Sequence, residues 1–220
     1  MKRASSREFW RAQRARARAD RGPKSSGQEG PISRLNVPMP NFDGGAYQAR
    51  FDALAEKGMD VHGEASLVIS LGPTSVLDAG CGTGRVAIEV SRHGLEVVGV
   101  DVDAAMIGEA RRRAPEIEWV EADLAVLALG RQFDIVVMAG NVPLFCPPAK
   151  RPALVEACSA HVAVGGALVA GFELGRGYGL DDYDSVCRAT GLVLADRWAT
   201  WDRQPFQKGN EYAVSVHRRP

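Results

Sequence analysis

Glycines occupy alternate positions in one short stretch, VLDAGCGTGR, which runs from Val76 to Arg85 and contains Gly80, Gly82 and Gly84. Glycine lets a backbone turn sharply and come close to a ligand. A triphosphate loop needs a Gly-Lys pair, and the chain has none. A dinucleotide loop reads GxGxxG; here the third glycine comes one residue early, and Arg85 stands where it belongs. A glycine triplet alone does not choose among the remaining ligands. Residues downstream do more. Asp101 closes the run Val98-Gly99-Val100-Asp101, about 20 residues beyond the glycines, where a carboxylate accepts both hydroxyls of a ribose. The same residue could equally cap the helix that follows. Met106 opens a helical face able to cover an adenine. Asp123, in Glu121-Ala122-Asp123-Leu124, can accept from an exocyclic amine while Leu124 packs on the ring, or it can be a plain turn residue.

Other residue types suggest proton transfer or acceptor contact. His62-Gly63-Glu64 sets an imidazole and a carboxylate beside a flexible joint, so His62 or Glu64 could serve as a general base. Capping of the next helix by Asp60 or His62 is the competing reading. Asn141-Val142-Pro143-Leu144-Phe145 follows an apolar run, and Phe145, Trp198, Trp201 and Phe206 could line a pocket with aromatic surface. No metal-ligand spacing is visible.

Elements must position these groups. Val76–Ala79, Leu95–Val100, Glu118–Val120, Phe133–Met138 and Ala167–Phe172 read as strands, the last after a Gly165-Gly166 turn. Helical periodicity follows at Val86–Ser91, Ala104–Arg113 and Pro152–Val162. Continuous Val/Ile/Leu runs are those of strands buried on both faces, and strand–helix alternation means a parallel sheet. The predicted class is therefore α/β, doubly wound and mostly parallel. After a helix at Asp181–Ala189, Leu192–Trp198 and Glu211–His217 add a terminal antiparallel hairpin, giving seven strands. Upstream, Tyr47, Phe51, Leu54 and Ala55 share a helical face, and Glu64–Leu71 forms a second short helix before Gly72-Pro73.

The 220 residues carry 27 Lys or Arg and 27 Asp or Glu, a formal charge of zero. Residues 1–24 hold nine Lys or Arg against Glu8 and Asp20, so this segment is +7 and the rest −7. An acidic body argues against nucleic acid as partner. Residues 1–35 hold few large apolar side chains and read as a basic, disordered tail, with residues 36–220 forming the domain. The tail is either solvated or docks on an acidic partner, unless the true start is Met39. Cys81, Cys146, Cys158 and Cys187 are scattered without CxxC spacing, as reduced thiols of a cytoplasmic protein are. The apolar run Val162–Phe172 is too short for a membrane span, which takes roughly 20 residues, and the N-terminus carries no secretory-type apolar core.

From about Tyr47 to Val216 the chain resembles the class I S-adenosylmethionine-dependent methyltransferases. VLDAGCGTGR, VGVDVDAAM and EADL occur in that family's order and spacing; FDIVVMAGN resembles its fourth strand and GGALVAGF its fifth. The resemblance implies S-adenosyl-L-methionine as cofactor. Gly80, Cys81, Gly82, Thr83 and Arg85 would lie along it, with Asp78 reaching its amino group directly or through water. Asp101, Val102 and Met106 would hold the ribose and cover the adenine, Asp123 and Leu124 would read the adenine edge, and Ala139 and Gly140 would line it through backbone. A lid over residues 36–71 would bring Tyr47 and Arg50, neighbours on a helix, to the cofactor carboxylate. Asn141, Phe145 and Trp201 would face the acceptor. Val142 departs from the Asn-Pro-Pro-aromatic signature of the family's nucleic-acid amino-methylating members. The implied activity is methyl transfer to the oxygen or nitrogen of a small molecule. The alternatives are a cofactor-binding protein without turnover, a nucleic-acid or protein methyltransferase, and a nicotinamide-dependent oxidoreductase.

Overall fold

A computed structural model describes residues 62–220. The tail, Tyr47, Arg50, Asp60 and the lid up to residue 61 lie outside the described residues. The apolar, β-branched runs form strands β1 (Ser75–Ala79), β2 (Glu96–Asp101), β3 (Glu118–Glu121), β4 (Phe133–Met138) and β5 (Val162–Glu173). These lie parallel in the order β3-β2-β1-β4-β5. The last two strands, β6 (Val193–Trp198) and β7 (Tyr212–Arg218), complete seven. They pair with each other antiparallel, as expected. They do not, however, extend the sheet in chain order: β7 inserts between β5 and β6, which leaves β6 at the edge.

Helices α1 (Gly63–Ser70), α2 (Arg85–Arg92), α3 (Ala104–Arg113), α4 (Val142–Phe145), α5 (Arg151–Ala160) and α6 (Leu180–Ala189) are distributed along this sheet. Successive residues of a strand face opposite sides of the sheet. On one side Leu77, Val98, Val136 and Leu168 join Leu154, Val155 and Tyr183 of α5 and α6 in a continuous core. Val76, Val97, Ile135 and Val137 are buried too. The four-residue helix α4 was expected as loop.

Gly165-Gly166 is not a turn. β5 runs through it, with pairing that shifts from Phe133↔Val162 to Ile135↔Ala167. Gly165 has φ +79, and a Cβ on Gly166 would lie 2.6 Å from the Asp134 carbonyl oxygen. The two glycines thus let the strand bulge while it stays against β4. Backbone of Arg219 bonds both, at 2.9 and 3.0 Å.

Winding reverses between β1 and β4, because the chain fills the β3 side first and then crosses over. Beyond the carboxyl ends of those two strands lies the crevice where such sheets bind ligands. The glycine stretch follows β1, and α4 follows β4.

Candidate functional site

Gly80, Gly82 and Gly84 have φ of +81, +54 and +82, all in the left-handed region that side chains avoid. Their surroundings differ. A Cβ on Gly80 would come within 2.5 Å of Val142 in α4, and one on Gly84 would overlap the indole of Trp119 in β3. These two glycines are required by the protein's own packing. A Cβ on Gly82 would meet nothing within 4 Å. The empty space lies at the centre of the loop. The loop around it is pinned: the N–H groups of Gly80 and Cys81 both donate to the Val100 carbonyl, at 2.8 and 2.9 Å. Arg113 of α3 donates to the Thr83 carbonyl at 2.9 Å. Cys81 is buried, and burial raises its thiol pKa well above the ordinary value.

Asp101 stands beside that space. Its Oδ2 accepts the Gly82 N–H at 2.8 Å and its Oδ1 the Asp103 N–H at 3.0 Å. Burial raises its pKa, opposed by those two N–H bonds. It does not cap α3. Asp103 does, accepting from Ala105 and Met106, where the sequence had offered Asp101 for the cap. Each carboxylate oxygen has a further lone-pair site, so Asp101 can accept two hydroxyls and keep both amides. Next to it Val102 is 59% exposed, an apolar surface at the tip of β2, whereas Met106 is buried in α3.

Asp78, buried at the end of β1, accepts the Ala87 N–H at 3.0 Å and so ties the strand to α2. Desolvation lifts its pKa to about 7; Asp101 and Glu64 push the same way, while the Ala87 amide and Arg85 oppose. Asp123 does serve a turn, accepting the Ala125 N–H at 2.9 Å, and its Oδ2 pairs with Lys150 at 2.9 Å. That lysine and the amide hold its pKa down. Leu124, next to it, is buried and packs in the core cluster.

Glu64 is a correction. It is 1% exposed, and both its oxygens engage Arg85, at 2.5 and 3.0 Å. A carboxylate held this way in a fork is a tie between α1 and α2, not a general base, and Arg85 is correspondingly committed to Glu64. His62 occupies the N-cap position of α1, yet its side chain caps nothing; Nδ1 lies 3.8 Å from Glu89.

On the β4 side, Ala139 and Gly140 follow the strand as part-buried backbone. Asn141, with φ +71, accepts the Glu173 N–H on its Oδ1 at 2.7 Å, linking the loops after β4 and β5. That leaves the second lone pair of Oδ1 and the two N–H donors of the side-chain amide for a substrate. Phe145 is 57% exposed. Trp201 is the second correction: it is 2% exposed, lies against Gly171, and donates its Nε1–H to the Tyr212 hydroxyl at 3.0 Å. It supports the sheet end and does not face an acceptor. His161 accepts the Leu129 N–H on Nε2 at 3.0 Å and lies 2.7 Å from the Ala157 carbonyl through Nδ1.

Residues 76–166 match the methyltransferase domain family. A TehB-like SAM-dependent methyltransferase from Corynebacterium glutamicum is 35% identical, with a TM-score of 0.76 over 80% of this chain and 98% of that one. This chain belongs to the class I S-adenosylmethionine-dependent methyltransferases. The methyltransferase also matches the magnesium-protoporphyrin O-methyltransferase of Rhodobacter capsulatus, 38% identical over 78 residues, which are 33% of this chain and 34% of that protein. The ubiquinone biosynthesis O-methyltransferase of Acinetobacter baumannii strain AYE is 29% identical over 157 residues, 61% of this chain and 62% of that one. The matches thus span between a third and under two thirds of these curated relatives. The cofactor is S-adenosyl-L-methionine, and the residues present fit it. The space a Gly82 Cβ would fill lies open, and the Asp101 carboxylate is fixed at its rim.

Proposed function

We propose that this methyltransferase moves the methyl group of S-adenosylmethionine to an oxygen or nitrogen of a small-molecule acceptor, releasing S-adenosylhomocysteine. The observation that carries the reading is the open backbone cradle at Gly82 with Asp101 bonded to its amide. Two relatives named as O-methyltransferases, one for magnesium-protoporphyrin and one in ubiquinone biosynthesis, favour a small acceptor. When bound, the sulfonium supplies the activated methyl group. What the chain contributes is orientation. Asp101 would accept the ribose hydroxyls, Val102 would cover the adenine, and Asp78 would offer its remaining oxygen to the ligand's ammonium group. Asn141 and Phe145 would meet the acceptor. In-line placement and exclusion of water then account for most of the acceleration. Glu64, forked to Arg85, is not the proton acceptor of this scheme. The four free cysteines support action in the cytoplasm, and among the described residues no helix is long and apolar enough to cross a membrane.

The test is to incubate the full chain with methyl-labelled S-adenosylmethionine and fractions of small-molecule extract. Labelled product and S-adenosylhomocysteine should appear together, and only with particular fractions. Tight cofactor binding without turnover in any fraction would overturn the catalytic reading.

A further inference from the structure

Arg151 breaks two rules at once. It is the first residue of α5, where the helix dipole disfavours a cation. It is also 7% exposed, and among the described residues no carboxylate pairs with it. A buried charge in that position costs stability, so its donors must be needed. Its Nε donates to the Cys146 carbonyl at 3.3 Å, in the loop after β4. Its Nη1 donates to the Gly177 carbonyl at 2.7 Å, in the loop after β5. The guanidinium lies 5.2 Å from the Tyr178 ring centroid, and Tyr178 packs on Phe172 at the end of β5. A planar fork reaches two carbonyls on separate loops in a way that lysine's single ammonium does not.

The preceding residue points elsewhere. Lys150, half exposed, donates from Nζ to Asp123 Oδ2 at 2.9 Å, in the turn after β3. The spacing of the two is set by a one-turn 3₁₀ segment, Pro148–Lys150, whose Lys150 N–H bonds the Pro147 carbonyl at 2.8 Å. Two adjacent side chains therefore hold three loops, those at the carboxyl ends of β3, β4 and β5. The loops after β4 and β5 lie on the side of the crevice where Asn141 and Phe145 would meet the acceptor, and the turn after β3 lies on the cofactor side.

The geometry points to Lys150 and Arg151 as positioning residues for methyl transfer: Arg151 ties the two acceptor-side loops to each other, and Lys150 ties that pair to the turn after β3 on the cofactor side. This rests on the proposed methyltransferase reaction, and it makes a separate demand. Loss of the tie must loosen the loops and slow transfer while the cofactor cradle, formed by β1, β2 and Arg113, stays intact. A misplacement of about 1 Å is enough to cost on the order of a hundredfold in rate.

The experiment compares the full-length protein with Arg151→Met and Lys150→Met by hydrogen exchange and by calorimetric titration with S-adenosylmethionine and S-adenosylhomocysteine. In Arg151→Met, amides at 142–146 and 174–179 should exchange about tenfold faster or more, while those of β1 and β4 are unchanged. Affinity for both probes should stay within about threefold. In Lys150→Met, on an exposed side chain that folding does not need, the increase should centre on residues 123–127. Once an acceptor is in hand, kcat/KM for it should fall about a hundredfold in Arg151→Met at unchanged KM for the cofactor, with partial recovery in Arg151→Lys. Unchanged exchange in the loops, or acceleration of β1 and β4 along with them, would overturn the assignment. Exchange is read without acceptor, so its outcome stands apart from whether turnover is ever found. Should Arg151→Met not fold, Arg151→Lys and Lys150→Met carry the same comparison.

Discussion

At the scale of single residues, three glycines that look alike in sequence hold different positions in energy. Gly84→Ala would push a methyl into the Trp119 indole. Overpacking of that kind costs about 1–3 kcal/mol, on top of about 1–2 kcal/mol for a side chain at positive φ. Gly82→Ala incurs only the second cost, because its Cβ meets no protein atom. Gly82→Ala should therefore melt closer to wild type than Gly84→Ala does, and still bind S-adenosylmethionine about tenfold or more weaker. Melting curves beside calorimetric titration decide it; wild-type affinity in Gly82→Ala would mean the loop glycines serve the turn alone. Asp78 adds a pH effect. Its folded pKa is about 7 against 3.8 for an ordinary aspartate carboxyl. Between those values the folded, cofactor-free protein holds a proton that the unfolded chain has lost. Its contribution to stability is thus complete below pH 4 and disappears as pH rises through 7, by about 4 kcal/mol at most. Asp78→Asn keeps an oxygen for the Ala87 amide and should remove that slope. Urea midpoints from pH 5 to 8 should show the variant gaining on wild type as pH rises, and parallel curves would reject the assignment.

At the scale of elements, what sequence made legible is what is local. Helix α3 is legible at Ala104–Arg113 because it follows closely on the end of β2 and Ala114-Pro115 stops it, although the sequence did not show that Asp103 rather than Asp101 caps it. β4 is legible at Phe133–Met138 because five of its six residues are apolar, four of them consecutive, and such a run has few other fates. The cofactor loop is legible because its glycines and the capping of β2 by Asp101 lie within one strand–turn–helix–strand unit. The ties between elements were not legible. Glu64 finds Arg85 across 21 residues, and Lys150 finds Asp123 across 27. Neither pairing leaves a period in the sequence, so Glu64 looked like a base and Asp123 like a free acceptor. Trp201 looked like pocket surface for the same reason: its partners, Gly171 and Tyr212, meet it only when β7 slots in beside β5. The double glycine at 165–166 carries the usual signature of a turn, and only its contact with the Asp134 carbonyl distinguishes a bulge.

At the scale of the molecule, the reversal of winding between β1 and β4 puts one crevice at the carboxyl edge, and the acids and glycines that line it choose its ligand. Asp101 at the end of β2 would suit the ribose of a nicotinamide dinucleotide as well as that of S-adenosylmethionine. The difference lies in the loop. A dinucleotide brings a pyrophosphate that needs a helix N-terminus approached through a third glycine, and here Arg85 occupies that place and is bonded to Glu64. The empty volume is at Gly82 instead, one turn earlier, beside Asp101. Ligand that binds only the folded state at about 100 times its dissociation constant adds about 2.7 kcal/mol of stability. For a domain of this size each kcal/mol is worth about 2–4 °C. S-adenosylmethionine should accordingly raise the melting temperature by roughly 5–10 °C, and NADH at the same concentration should leave it within error. The shift should persist in Arg151→Lys, whose bonds reach only the loops after β4 and β5, and collapse in Asp101→Ala, which removes the acceptor proposed for both ribose hydroxyls. A rise with NADH and none with S-adenosylmethionine would place the ligand on the pyrophosphate side of the loop and refute the geometry argued for Gly82.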